Sequence, residues 1–184
     1  MTDPDVTVGP GVEADLPAIA AILNDAIVNS NATLETQPRA AAERLGWFRR
    51  FAATGPYRIL VARQGGQAIG YAASQPYRDH PGFLPTVEVS IALDPSRRRQ
   101  GVGTALYRAL LRELAAEPVH VALAGIVLPN EASVALHRKL GFREVGVFHE
   151  YAVKNGQYLS SVWMERQFGT RGDESGEERY DRGV

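Results

Sequence analysis

Arg98-Arg99-Gln100-Gly101-Val102-Gly103-Thr104 lies between a segment that reads as a strand and one that reads as a helix. Upstream, Thr86-Val87-Glu88-Val89-Ser90-Ile91-Ala92-Leu93 alternates and is rich in β-branched residues, the pattern of a strand. Asp94-Pro95 ends it. Downstream, Val102, Leu106, Leu110 and Leu114 recur at four-residue spacing and give a helix with one apolar stripe. Two glycines at the junction leave backbone N–H groups bare at a helix N-terminus. Partial positive charge and free donors make that end a seat for an anion. The junction therefore predicts a phosphate or pyrophosphate ligand.

Two common phosphate loops do not fit. A P-loop closes on Gly-Lys-Ser/Thr, and here Gly103 is followed by Thr104 with no lysine. A dinucleotide-binding loop needs a glycine triplet after the first strand of a βαβ unit, whereas Gly101 and Gly103 sit mid-chain. Composition narrows the classes further. The chain has 184 residues, 45% of them hydrophobic, enough for one domain with a core. A formal net charge of −1 gives no bulk attraction to nucleic acid or to a membrane. Arg97-Arg98-Arg99 reads better as counter-charge to a pyrophosphate than as a nucleic-acid patch. There is no cysteine, which excludes disulfides, thiolate metal sites and a cysteine nucleophile. No metal is expected. Met1-Thr2-Asp3-Pro4-Asp5 lacks an apolar signal core, and no apolar run approaches the ~18 residues of a spanning helix. A cytoplasmic protein is the expectation.

Val6-Thr7-Val8 reads as a first strand, and Asp15-Leu16-Pro17 as a helix start whose stripe is Leu16, Ile19, Ala20, Leu23 and Ile27. Asn29 to Gln37 reads as a loop, and Pro38 as the opening of a second helix to about Phe51. Arg58–Arg63 and Gln67–Ala73 flank Gln64-Gly65-Gly66, a hairpin signal. Gln75 to Pro85 is a polar and aromatic loop. Val119 to Val127 is a further strand, Asn130 to Leu140 a short helix, and 145–153 with 158–168 a closing strand pair. Gly169 to Val184 is charged, glycine-rich and without apolar periodicity, so residues 1–168 form one domain and 169–184 a disordered tail. The element order argues a mixed α/β sheet with helices on both faces.

The pattern Arg98-x-x-Gly101-x-Gly103 resembles the acetyl-CoA pyrophosphate loop of the GCN5-related N-acetyltransferases, the GNAT family. Leu128-Pro129-Asn130-Glu131-Ala132-Ser133-Val134-Ala135-Leu136-His137-Arg138-Lys139-Leu140-Gly141-Phe142 looks like the family's second signature: a strand end, an asparagine, a short helix and a Gly-Phe exit. Within the family, Thr33-Leu34-Glu35-Thr36-Gln37-Pro38, Glu88 in its strand, Leu128-Pro129-Asn130, Ser133-Val134, His137 and the turn Lys154-Asn155-Gly156-Gln157-Tyr158 resemble the phosphinothricin and methionine-sulfoximine acetyltransferase branch. The resemblance runs from about Val6 to Phe168. It implies an α/β (α+β) GNAT fold, a central mixed, mostly antiparallel sheet of about seven strands with helices on both faces. It also implies acetyl-CoA as cosubstrate, with Arg98, Arg99, Gln100, Gly101, Val102, Gly103 and Thr104 at its pyrophosphate. Main-chain groups of Ile91, Ala92 and Leu93 would meet the pantetheine and polarise the thioester carbonyl, and Asn130 and Ser133 would add contacts. A homodimer whose partner loops complete the acceptor pocket is the branch's assembly.

Pattern alone leaves two readings of Glu88: a glutamate on the open face of a half-buried strand, or a general base. An amine attacks only when neutral, and a carboxylate in a partly dry cleft has the raised pKa to take its proton. The resemblance places the branch's catalytic glutamate here. Asn130, Ser133 and His137 fall near one helix face. His137 reads as a capped surface histidine or, by resemblance, as the acid for the departing thiolate or a second base. Asn130 and Ser133 are also ordinary capping residues. Acceptor choice is expected in Tyr77, Arg78, His80 and Phe83, with Leu34 and Thr36 walling the same pocket; each also reads as polar surface loop. Relatives acting on phosphinothricin carry arginine at the position of His80 and tyrosine at that of Phe83. Histidine cannot clamp an oxyanion bidentately, which leaves Arg78 to take a carboxylate.

These readings converge on a single-domain N-acetyltransferase that acetylates the amine of a small amino acid or analogue, of the methionine sulfoximine, methionine sulfone or phosphinothricin type. The alternatives are a protein or peptide N-acetyltransferase, which needs an open peptide groove, and a non-catalytic acyl-CoA sensor, which needs neither Glu88 nor His137.

Overall fold

The computed structural model describes residues 5–97 and 100–169. The expectations for Arg98, Arg99 and the tail from 170 onward lie outside the described residues. The order is β1 (Val6–Pro10), α1 (Leu16–Asn29), α2 (Ala41–Phe48), β2 (Ile59–Gln64), β3 (Gln67–Pro76), β4 (Thr86–Leu93), α3 (Val102–Ala115), β5 (Val121–Val127), α4 (Glu131–Lys139), β6 (Arg143–Lys154) and β7 (Gln157–Gln167). Short 3-10 turns at Glu13–Asp15, Pro81–Phe83 and Pro95–Arg97 join them.

One seven-stranded sheet runs in the order β1-β2-β3-β4-β5-β7-β6. Neighbours are antiparallel except β4 and β5, which are parallel. That parallel pair is short: Thr86–Glu88 lie opposite Val121–Leu123, and pairing stops there. β4 stays bonded to β3 out to Leu93, and β5 to β7 out to Val127. The sheet therefore divides at Glu88 into two wings, with a notch between them.

Side-chain alternation sends the two strand faces into two cores. Val87 and Val89 point to α3, whose Val102, Leu106, Leu110 and Leu114 are at most 1% exposed. Tyr71 and Ala73, on the other face of β3, pack with Leu16, Ile19 and Phe48 of α1 and α2. Each buried leucine of the α3 stripe contributes about 1.5–3 kcal/mol. Gly65 (φ 57°) and Gly66 (φ 80°) give the β2–β3 hairpin its two left-handed central residues.

The second helix starts three residues later than Pro38 suggests. The Glu43 carboxylate accepts a hydrogen bond from the Ala40 N–H at 2.7 Å and fixes the start at Ala41, while Arg39 is held by Asn24. β6 is the outermost strand, and Val145, Phe148 and Val153 on it are more than half exposed. Among the described residues, no helix is long and apolar enough to cross a membrane.

Candidate active site

At the notch, α3 begins on Gly101, whose φ of 80° is left-handed and suits glycine. Gly101 has no side chain to cap this end. The Ala105 N–H makes the first helical bond, to Gly101 O at 3.0 Å, so the N–H groups of Val102, Gly103 and Thr104 lie ahead of the helical ladder. Gly103 is buried, and a Cβ there would sit 3.3 Å from Leu93 and 3.5 Å from Leu136. Glycine lets the turn approach β4 and α4 closely.

An open groove of about 1080 Å³ starts at this turn. Gly101, Gly103 and Thr104 line one end with Ile91–Leu93 of β4 and Asn130, Ser133 and Leu136 of α4. The expected cofactor residues Ile91, Ala92, Leu93, Gly101, Gly103, Thr104, Asn130 and Ser133 thus meet in one place. Asn130 does cap α4, accepting from the Ser133 N–H at 3.2 Å. The groove continues under α1 and α2, along Ser30–Thr33, Glu35, Arg44, Trp47, Tyr71, Gln75 and Ser90.

Glu88 occupies the last paired position before the wings part, with Gln75 opposite it on β3 and Leu123 on β5. It is half-buried, and its carboxylate has no hydrogen-bond or ion-pair partner among the described residues. Burial pushes its pKa up from the ordinary carboxylate value.

His137 is neither a surface residue nor open to the groove. It is 2% exposed, wedged edge-on between the rings of Tyr107 and Phe142. Its Nδ1 donates to the Ser133 carbonyl at 2.7 Å, which leaves Nε2 to accept from the Tyr107 hydroxyl at 3.0 Å. Burial lowers its pKa and favours the neutral ring. In this geometry both ring nitrogens have protein partners. His137 ties α4 to α3, the two helices whose N-termini line the groove.

The family model described as Acetyltransferase (GNAT) family matches residues 22–142. The chain belongs to the GNAT family. It is 40% identical to the phosphinothricin N-acetyltransferase of Streptomyces coelicolor over 88% of this chain and 96% of that one. It is 39% identical to the L-methionine sulfoximine/L-methionine sulfone acetyltransferase of Pseudomonas aeruginosa over 83% of this chain and 88% of that one. Among solved structures, the GNAT phosphinothricin acetyltransferase of Sinorhizobium meliloti in complex with AcCoA superposes with a TM-score of 0.84 at 31% identity, covering 98% of this chain and 95% of that one. The protein is an acetyl-CoA-dependent N-acetyltransferase of the GNAT fold.

The acceptor-side expectations of this GNAT chain are only partly gathered at the groove. Thr33 and Glu35 line it; Leu34 and Thr36 are exposed beside them. Tyr77, Arg78, His80 and Phe83 form a separate aromatic cluster. The Arg78 guanidinium lies over the Tyr77 and Phe83 rings at 5.2 and 5.7 Å. His80 caps the short Pro81–Phe83 turn, its Nδ1 accepting from the Gly82 N–H at 3.1 Å. Tyr77 meets Trp163 of β7 edge-on, with centroids 6.0 Å apart.

The place of Trp163 beside this cluster was not legible in the sequence. A Cβ on Gly125 would lie 3.1 Å from its ring, so Trp163 covers β5 while touching the Tyr77 loop from beyond the notch. The cross-strand pair Gly125↔Trp163 is the signal, and it appears only once the register is known. Arg44, 5% exposed, holds Glu35 at 3.2 and 3.4 Å and also escaped the sequence pattern.

Proposed function

We propose that this enzyme transfers acetyl from acetyl-CoA directly to the α-amino group of a small amino acid or analogue, of the methionine sulfoximine, methionine sulfone or phosphinothricin type, with Glu88 as general base. The observation that carries the reading is the half-buried Glu88 carboxylate at the fork of the notch, without a hydrogen-bond or ion-pair partner among the described residues. A carboxylate paired with arginine would be a poor base; among the described residues this one has no such partner, and its raised pKa brings it nearer to that of an amine. The named activities of the relatives support the acceptor class.

The glycine turn fits a pyrophosphate, since Gly101 has no side chain to cap its N–H groups and its glycines allow close approach. Gln100, Gly101, Val102, Gly103 and Thr104 would hold that group together with Arg98 and Arg99. Main-chain groups of Ile91–Leu93 would align the pantetheine, and Asn130 and Ser133 would flank it. Acetyl-CoA supplies the electrophilic acetyl group and departs as the thiolate. Glu88 takes the amine proton. No cysteine is available to carry the acetyl, so the amine receives it directly. Arg78, stacked on Tyr77 and Phe83, remains the candidate for the acceptor carboxylate. His137 holds α4 against α3 in this reading.

We also assign the enzyme a homodimeric state, supported by the exposed Val145, Phe148, Tyr151 and Val153 on the edge strand β6. A monomer by light scattering at micromolar concentration refutes it.

The functional test is CoA release, followed with a thiol reagent. Acetyl-CoA is combined with methionine sulfoximine, methionine sulfone, phosphinothricin, common amino acids, polyamines and an N-terminal peptide. Release with a small amino-acid analogue supports the reading. Release with the peptide alone overturns it.

A further inference from the structure

The geometry points to Lys154 as a positioning residue for the acceptor end of the groove: it pins the Ser30–Thr33 loop from the β6–β7 hairpin. The inference rests on the acceptor reading above. It begins with a turn. Asn155 (φ 50°) and Gly156 (φ 76°) are the two central residues of the β6–β7 hairpin, and Lys154 pairs with Gln157 across it. Two left-handed residues in a two-residue loop are the type that matches strand twist. The turn therefore fixes where Lys154 starts.

From there the side chain is buried. Lys154 is 1% exposed, and its Nζ donates to the carbonyls of Ser30 at 2.7 Å and Thr33 at 3.0 Å, more than a hundred residues earlier in the chain. Among the described residues no carboxylate ion-pairs with it. A buried ammonium without a counter-ion is costly. Here the negative end of the α1 dipole offsets that cost, since Ser30 is the C-cap of α1.

Ser30 Oγ donates to Ala26 O, and Ala32 N donates back to Ser30 Oγ. Further on, the Glu35–Arg44 pair anchors the loop to α2. Ser30, Asn31, Ala32 and Thr33 line the groove. Lys154 is thus the tie between that wall and the β6–β7 hairpin. Removing the ammonium orphans two carbonyls and frees the wall, while β4, α3 and α4, which form the cofactor end, keep their contacts.

The test uses Lys154→Met, which keeps an unbranched apolar stem without the ammonium, and Lys154→Arg, which keeps the charge. Hydrogen exchange is read on residues 30–36 of the full chain without ligand, beside steady-state kinetics with acetyl-CoA and L-methionine sulfone. Lys154→Met is expected to speed exchange in that segment and to raise the KM for the acceptor about tenfold or more, with the KM for acetyl-CoA unchanged. Lys154→Arg is expected to restore part of both. Unaltered exchange in Lys154→Met overturns the pin. Faster exchange with an unaltered acceptor KM, or an equal rise in both KM values, overturns the positioning role. If the wild-type enzyme acetylates no amino acid, the acceptor reading fails, and the pin still stands or falls on exchange alone.

Discussion

Replacing Tyr107 with phenylalanine separates a structural His137 from a catalytic one. The change keeps the ring that packs edge-on against His137 and stacks beside Phe142. It removes only the hydroxyl that donates to Nε2 at 3.0 Å. Nδ1 is committed to the Ser133 carbonyl, so the neutral ring cannot turn its other nitrogen into a donor. Both residues are at most 2% exposed, and Nε2 is left as a buried acceptor without a partner. Such a loss costs ~1–3 kcal/mol. At ~2–4 °C per kcal/mol for a chain of this size, the melting temperature falls by roughly 2–12 °C. Calorimetry reads that shift, and steady-state kinetics at 25 °C reads the consequence. The KM for acetyl-CoA is expected to rise modestly, because α4 loosens against α3, while kcat holds. A melting temperature that stays put while kcat drops on the order of a hundredfold, the scale of lost acid–base catalysis, would make Tyr107 and His137 a proton relay and refute the strut.

The same buried imidazole predicts a pH dependence. Burial lowers the folded pKa of His137 below the ~6.5 of a free histidine. Its contribution is therefore present above ~6.5 and is lost as pH falls through the lower folded value, because the unfolded chain binds the proton first. Denaturant melts between pH 5 and 8 should show this slope, and His137→Asn should flatten it; an equal slope in both contradicts the assignment. At the glycine turn, Gly103→Ala adds a Cβ 3.3 Å from Leu93 on a groove-lining turn. Acetyl-CoA binding by calorimetry should weaken about tenfold, ~1.4 kcal/mol, with the fold intact, and undiminished affinity would remove the turn from the cofactor seat.

What could be read in the sequence was what depends on near neighbours. The four-residue spacing from Val102 to Leu114 became α3, and Gln64-Gly65-Gly66 became a hairpin because two glycines favour its left-handed turn. The alternation around Glu88 became β4, with Val87 and Val89 under α3. Pro38 misled because proline suits a first helical turn, whereas the bond from Ala40 to Glu43 selects a later start. The remaining features depend on register or long reach. Where β4 and β5 part is set by which residues pair, not by their identity. The burial of His137 needs Tyr107, a helix away, and Lys154 meets carbonyls of the first helix end. The Tyr77–Phe83 loop reads as acceptor lining because it is polar and aromatic; that its rings pack on one another and on Trp163 depends on the placement of β7.

The proposed mechanism turns on removal of the amine proton by the Glu88 carboxylate. Glu88→Gln changes a carboxylate oxygen for an amide group and leaves β4 and the glycine turn as they are. Turnover and acetyl-CoA affinity are measured together from pH 6 to 9, with the best acceptor of the panel. The expected result is a fall in kcat on the order of 10²–10⁴ with acetyl-CoA affinity unchanged. Wild-type turnover in Glu88→Gln across that range would contradict it.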